Sequence, residues 1–370
     1  MKKLIAFILG SSSLYCSPPL QCDIGLFATV DFFYWFAQET DLSYALKVKG
    51  TNQIASINIS PVMLAPKKLE QFKTSWDPGF RIGLGFKPHC DGWDLYCDWT
   101  YFHNEKKNKA SVVPFGTATL EFFPEVGQYA LIDPWINIGN FTSVFDAPFL
   151  FDTVTAKWKL NLNTIDLELG RKTLLSCSFA MRPYAGVRSA FLNLEFNNSA
   201  SLTPNSSESV IFKDLFENHF WGVGVLAGIQ PEWHFNSRWF LFSNLDAALL
   251  YGKNSAFKKE NYFGTAGFGA FRIVDYHNKV KSHFSQMQAI IDLSLGLRWE
   301  ETWCCERYRS ALDLSWEQHF WFDASKRLKL NVAFLNDLGG GSLQFGFQGY
   351  DEVSSNLIFG GPVLRARFDF

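Results

Sequence analysis

The sequence predicts an all-β chain: a single transmembrane antiparallel β-barrel of the outer-membrane type, with about 14 strands (roughly 12–16) and long extracellular loops. Three observations lead there. The stretch 76–102 reads as one membrane-spanning hairpin. The composition is 17% aromatic and only 19% charged, with 38 Phe and 13 Trp, which is unusual for a soluble enzyme. The chain closes on one amphipathic strand, VLRARFDF, with Phe at the last position.

The hairpin carries the most information. Phe80, Ile82, Leu84 and Phe86 alternate with Arg81, Gly83, Gly85 and Lys87. Pro88, His89, Cys90, Asp91 and Gly92 supply turn chemistry. Trp93, Leu95, Cys97, Trp99 and Tyr101 then alternate with Asp94, Tyr96, Asp98, Thr100 and Phe102. Side chains on a strand point alternately to its two faces, so each run has one apolar and one mostly polar face. A symmetric turn sets Phe80 opposite Tyr101, Ile82 opposite Trp99, Leu84 opposite Cys97, Phe86 opposite Leu95, and Lys87 opposite Asp94. Runs of about 9–10 residues suffice for a tilted strand to cross a bilayer.

Residues 1–23 read as a secretory signal, with Lys2 and Lys3 before the apolar run from Leu4 to Leu9. Residues 24–370 form the barrel. The first strand puts Leu26, Ala28, Val30, Phe32, Tyr34 and Phe36 on one face, and Phe27, Thr29, Asp31, Phe33, Trp35 and Ala37 on the other. Leu42–Val48 and 53–60 are further candidates. After Phe102 the run HNEKKNKA looks solvated, and 111–153 lacks sustained alternation. Its many aromatics argue against disorder, and a long loop of this kind is expected to fold over or into the barrel mouth. From 157 the apolar phase slips between Leu162 and Ile165, which suggests a bulge. Later strands are read over 179–194, 221–230, 239–251, 291–299, 312–321, 328–334, 343–347 and 363–370. Even-strand parity places 88–92, 171–177, 231–237 and 300–309 as periplasmic turns, and 103–156 and 252–285 as the two longest loops.

Charges facing hydrocarbon are costly, so the polar faces belong in the lumen. The pore-lining candidates are Arg81, Lys87, Asp94, Asp98, Asp166, Glu168, Arg182, Arg188, Asp292, Arg298, Arg365 and Arg367, with Glu300 on the same face. Leu364, Ala366, Phe368 and Phe370 make the closing apolar face, which resembles the signal read by the bacterial barrel-assembly machinery. Seven cysteines are present. Cys90, Cys177, Cys304 and Cys305 fall in turns assigned to one side, so disulfide cross-linking there and free thiols remain as alternatives. The net charge of −2 speaks against a nucleic-acid partner. No phosphate loop, His-Glu-x-x-His or Cys-x-x-Cys occurs, so no metal or cofactor is expected. His283 and Ser285 share a strand face, as in outer-membrane phospholipases, but Gln286 stands where those have Asn-Gly.

The pieces DFFYWFAQETDLSYAL, WDPGFRIGLGFKPHCDGWDLYCDWTYFH and RPYAGVRSAFL, with the closing aromatic strand, resemble the Legionella-type major outer membrane protein family, which extends to chlamydia-like bacteria. The resemblance runs across most of the chain. It implies a bacterial outer-membrane barrel regarded as a porin, in contact with outer-membrane lipid and often a homo-oligomer; some members are disulfide cross-linked. The expected function is passive diffusion of small hydrophilic solutes and ions, without enzymatic activity. A non-channel surface or envelope barrel is the alternative, and a lipid hydrolase a further one.

Overall fold

The computed structural model describes residues 25–370 except 52–62, 89–90, 114–126, 142–149, 206–207, 265–266, 269–270, 273–275, 304–307 and 337–342. Ten long strands form the barrel wall: β1 (Gly25–Glu39), β2 (Trp76–Lys87), β3 (Trp93–Ser111), β4 (Thr153–Arg171), β5 (Phe179–Asn205), β6 (Glu208–His234), β7 (Trp239–Gly264), β8 (Tyr276–Trp303), β9 (Tyr308–Asn336) and β10 (Leu343–Asp369). Each pairs antiparallel with its neighbours, and β1 pairs with both β2 and β10, which closes the ring. The expected hairpin register holds between β2 and β3: Phe80 faces Tyr101, Ile82 faces Trp99, Leu84 faces Cys97 and Phe86 faces Leu95.

Among the described residues the wall thus has ten strands, where the sequence predicts about 14. The reason is strand length. β5 to β10 run from 26 to 29 residues, far beyond the ~9–11 needed to span hydrocarbon. Most of 195–218 and much of 252–285 continue the ladders above the membrane. The candidates at 328–334 and 343–347 are the far ends of β9 and β10. Leu42–Val48 falls outside the wall. Ser43–Thr51 pairs instead with Met63–Gln71 and Tyr129–Ile132, and Leu150–Phe151 completes this small sheet. The candidate at 53–60 lies outside the described residues.

No bulge occurs in β4: its registers with β3 and β5 run unbroken through 162–165. The apolar side changes face instead. In the lower half, Ile165, Leu167 and Leu169 point out while Thr164 and Asp166 are buried inside. In the upper half, Val154, Ala156, Trp158, Leu160 and Leu162 are buried inside, and Lys157, Lys159, Asn161 and Asn163 lie on the other face. β3 shows the same inversion. Its outward row passes from Trp93, Leu95, Cys97 and Trp99 to Glu105, Lys107 and Lys109. The run HNEKKNKA is therefore strand, with Asn104 and Lys106 buried within. Facing lipid below and water above, one strand must present apolar groups to the outside first and to the inside afterwards.

The upper half consequently has a conventional hydrophobic core. Phe102, Trp158, Leu160, Leu192, Phe196, Phe212, Phe216 and Phe220 from the wall pack around Leu42, Tyr44, Val48, Leu131, Trp135, Leu150 and Phe151 from the interior segments. The described parts of 111–153 contribute Ala130, Leu131, Trp135, Leu150 and Phe151 to this crown. At the opposite end the turns are short. Gly92 adopts φ +84°, and a Cβ there would stand 2.4 Å from the Lys172 carbonyl oxygen. Glycine permits both the turn and the hydrogen bond from Lys172 N to Gly92 O, 2.8 Å.

Candidate functional site

The lower lumen is the site that parity of the strands creates. Inward positions of β1 to β10 surround a cavity of 580 Å³ that extends to the turn end, where Gly92, Lys172, Arg238 and Arg309 line it. All twelve pore-lining candidates border this cavity, as does Glu300.

The charges form interlocked pairs rather than isolated groups. Arg188 donates to Asp166 at 2.7 Å and to Asp292 at 2.5 Å. Arg182 donates to Asp94 at 2.5 Å and Glu168 at 3.0 Å. Arg298 donates to Asp313 at 2.8 Å and Glu232 at 3.3 Å. Arg81 reaches Asp31 and Glu317, each at 3.0 Å, with Asp98 at 4.0 Å. Arg365 shares Asp31 at 2.8 Å. Arg367 and Lys87 both hold Asp369, at 2.6 and 2.7 Å. Lys87 therefore pairs across β1 with the closing strand, not with Asp94 as the hairpin alone suggested; Asp94 is taken by Arg182. Such forks fix a geometry as well as a charge balance. They also give most of the carboxylates inside the wall a cationic partner, where an unpaired charge is expensive.

Several partners are not among the charges that alternation singles out: Glu232, Asp246, Asp313, Glu317 and His319; Asp369, expected on the face of Arg365 and Arg367, is a further one. The signal was available, since each shares parity with a residue already assigned inward. Asp313 and Glu317 alternate with Leu312, Leu314 and Trp316, for example. Asp31 had been placed on the inner face but not among the lining charges.

An aromatic ceiling ends the cavity. Trp35 stacks on Phe33 at 3.7 Å between ring centroids and stands 4.6 Å from His319, which in turn stacks on Phe359 at 4.8 Å. Trp321 and Phe102 pack against Phe359. Trp35 and Phe359 are each 1% exposed and Trp321 2%. His319 Nδ1 lies 2.7 Å from Asp292 Oδ1, so the ceiling is tied to the ion-pair network. Below the ceiling lies the polar cavity; above it the described residues pack into the hydrophobic crown.

The remaining candidates lie elsewhere. His283 and Ser285 sit on the outward face of β8, opposite Ser255 and Lys253 of β7, away from the cavity. Cys97 is a free thiol on the lipid face, between Leu84 and Leu167. Cys177 lies in the turn between Thr173–Ser176 and β5. Cys90, Cys304 and Cys305 lie outside the described residues, as does 1–23. Leu364 and Phe368 face outward, and Phe370 N donates to Leu26 O at 3.0 Å, joining the chain end to β1. Among the described residues no cluster suited to a metal ion occurs.

A family model described as Legionella pneumophila major outer membrane protein precursor matches residues 26–370. No curated protein matches. Among solved structures, the outer membrane protease OmpT from Escherichia coli is similar at 10% identity and a TM-score of 0.37, covering 97% of this chain and 99% of that one. A Pseudomonas aeruginosa FadL homologue follows at 9% identity and a TM-score of 0.29, with 94% and 90% covered.

Proposed function

The chain belongs to the Legionella major outer membrane protein family and resides in the bacterial outer membrane, and from that premise we propose that it is a porin-type barrel for small hydrophilic solutes that rests closed. The observation that carries this reading is the polar cavity of 580 Å³ rising from the turn end to the aromatic ceiling. A lumen lined by both signs of charge favours ions and neutral polar solutes over apolar ones. The crown supplies the closure, and passage requires part of it to move. No residue in the lumen is assigned a catalytic role. The closing face of Leu364, Ala366, Phe368 and Phe370 is read as the contact for the barrel-assembly machinery.

A second reading, a surface or envelope barrel without a channel, is favoured by the ten-strand ring. Rings near this size are largely filled by their own side chains. Swelling of proteoliposomes in a small neutral sugar separates the two. A resting-closed porin gives swelling above empty vesicles but about tenfold or more below an open general porin. Swelling indistinguishable from empty vesicles, with the barrel folded and inserted, favours the surface protein.

A further inference from the structure

The outer surface of three neighbouring strands changes character at one level. On β8 the outward row is apolar from Leu297 up through Leu295, Leu293 and Ile291 to Met287. Tyr251 of β7 and Val223 of β6 share the rung of Met287. The ten-residue step from Leu297 to Met287 rises about 25 Å at the usual strand tilt, the height of a lipid-facing band. The next outward rung sets Trp221 beside Lys253 and Ser285, and from there the surface is polar.

Five lysines stand on these rows above the band: Lys213 of β6, Lys253 and Lys259 of β7, and Lys279 and Lys281 of β8. Lys259 is half-buried and the others are exposed. Lys259 lies directly opposite Lys279, with Lys213 and Lys281 on its two diagonals. Like charges facing each other across a ladder repel. Among the described residues none of the five is in an ion pair. Glu217, the one carboxylate on these rows among the described residues, lies against His219 at 3.7 Å.

Elsewhere on the ring the outward lysines are neutralised within the wall. Lys107 and Lys157 hold Glu105 at 2.9 and 3.1 Å, and Lys159 holds Glu195 at 2.9 Å. The face of β6 to β8 leaves its positive charge for a group outside the chain.

The depth of the lysines selects that group. Lys253 sits one outward position above Tyr251, at the edge of the apolar band. Lys281 and Lys279 lie four and six residues above Ser285, the rung of Lys253. At the usual tilt that is about 10 and 15 Å in height. A phospholipid head layer is only roughly 5–8 Å deep. A lipid whose head is a run of sugars, with phosphate or carboxylate groups at more than one level, matches both depths.

We propose that the outward face of β6–β8 is a docking site for an anionic glycolipid of the outer leaflet. Its acyl chains lie along the apolar rows, and its innermost phosphate meets Lys253. Anionic groups farther out meet Lys213, Lys259, Lys279 and Lys281, which relieves the repulsion between Lys259 and Lys279. Phe257, already covered by Lys281 Nζ at 5.6 Å from its ring centroid, gives the sugars an apolar floor. The site lies outside the barrel and is independent of the porin reading.

Binding of a phosphorylated rough-type lipopolysaccharide to refolded full-length protein in neutral detergent tests it. The amount retained through size exclusion is the readout, and heat-modifiable gel mobility confirms the fold of each variant. Wild type is expected to retain the lipopolysaccharide and to lose it as salt is raised. Changing Lys213, Lys259, Lys279 and Lys281 together to Gln is expected to weaken binding by about tenfold or more. Arg at the same positions is expected to preserve it. Lys107→Gln with Lys157→Gln, on the neutralised face, is expected to leave it unchanged. A folded Gln variant that binds as wild type does overturns the proposal, as does an equal loss in the Lys107 and Lys157 variant. Phosphatidylglycerol retained as tightly as the lipopolysaccharide also overturns it, because the patch would then answer to surface charge alone.

Discussion

Arg188 on β5 and Asp292 on β8 meet across the lumen at 2.5 Å, although β6 and β7 stand between their strands in the ring. The same guanidinium forks onto Asp166 of β4 and lies 3.5 Å from Asp246 of β7. One side chain of β5 thus ties three other strands together. Arg188→Ala would leave three carboxylates without their shared cation, and a loss of about 3–5 kcal/mol is expected. Arg188→Lys, a point charge without the fork, should lose less but not recover the whole. Urea titration of the refolded barrel, followed by its heat-modifiable band, measures both.

The inversion of faces gives a sharper test of β4. Leu160 points into the crown and Leu167 into lipid. Leu160→Ala should destabilise by about 2–5 kcal/mol because it opens a cavity in a packed core. Leu167→Arg should lose about 2–4 kcal/mol, the penalty for an arginine on the lipid face near the midplane. Lys159→Leu, above the membrane and outward, should change stability by less than about 0.5 kcal/mol. A bulge at 162–165 would reverse the fates of Leu160 and Lys159.

These residues also mark how far the sequence could be read. Parity within one strand is legible, so alternation alone gives the hairpin register and puts the twelve charges on the inward face that borders the cavity. What alternation could not reveal was a change of environment along a single strand. Once the outside becomes water, Lys107 and Lys109 look like loop, and Leu160 looks out of phase. By alternation alone the upper halves of the strands therefore look like loops and bulges, and the far ends of β9 and β10 look like separate strands. Ion-pair partners such as Arg188 and Asp292 were invisible for another reason. Their strands are three apart, and nothing local specifies which inward charges meet across a closed ring.

Asp133 should make the crown sensitive to pH. It lies in the interior turn, accepting hydrogen bonds from Trp135 N at 2.9 Å and Asn198 Nδ2 at 2.8 Å. Burial outweighs these bonds and pushes its carboxyl up to about 6. Because the folded value lies above the unfolded one, its contribution to stability is fully present below pH ~4 and is lost as pH rises through about 6. Hydrogen exchange of residues 129–132 should therefore be slower at pH 5 than at pH 7, after correction for intrinsic rates. In Asp133→Asn that difference should vanish.

The chain end offers a test of assembly. Phe368 stacks on Tyr308, with centroids 6.0 Å apart, and packs against Phe370 at 5.5 Å. Removing Phe370, or changing it to Ala, should lower the assembled fraction in the outer membrane several-fold while purified protein still refolds in detergent. Equal losses in both settings would mean that Phe370 acts through stability of the β1–β10 seam alone.

Single-channel recording in a planar bilayer tests the central claim most directly. A barrel that rests closed should insert and stay silent for most of the record, with brief openings. Steady ohmic steps from wild type on insertion would show that the crown does not close the lumen. Unbroken silence from the folded, inserted protein would show that the lumen is no path at all.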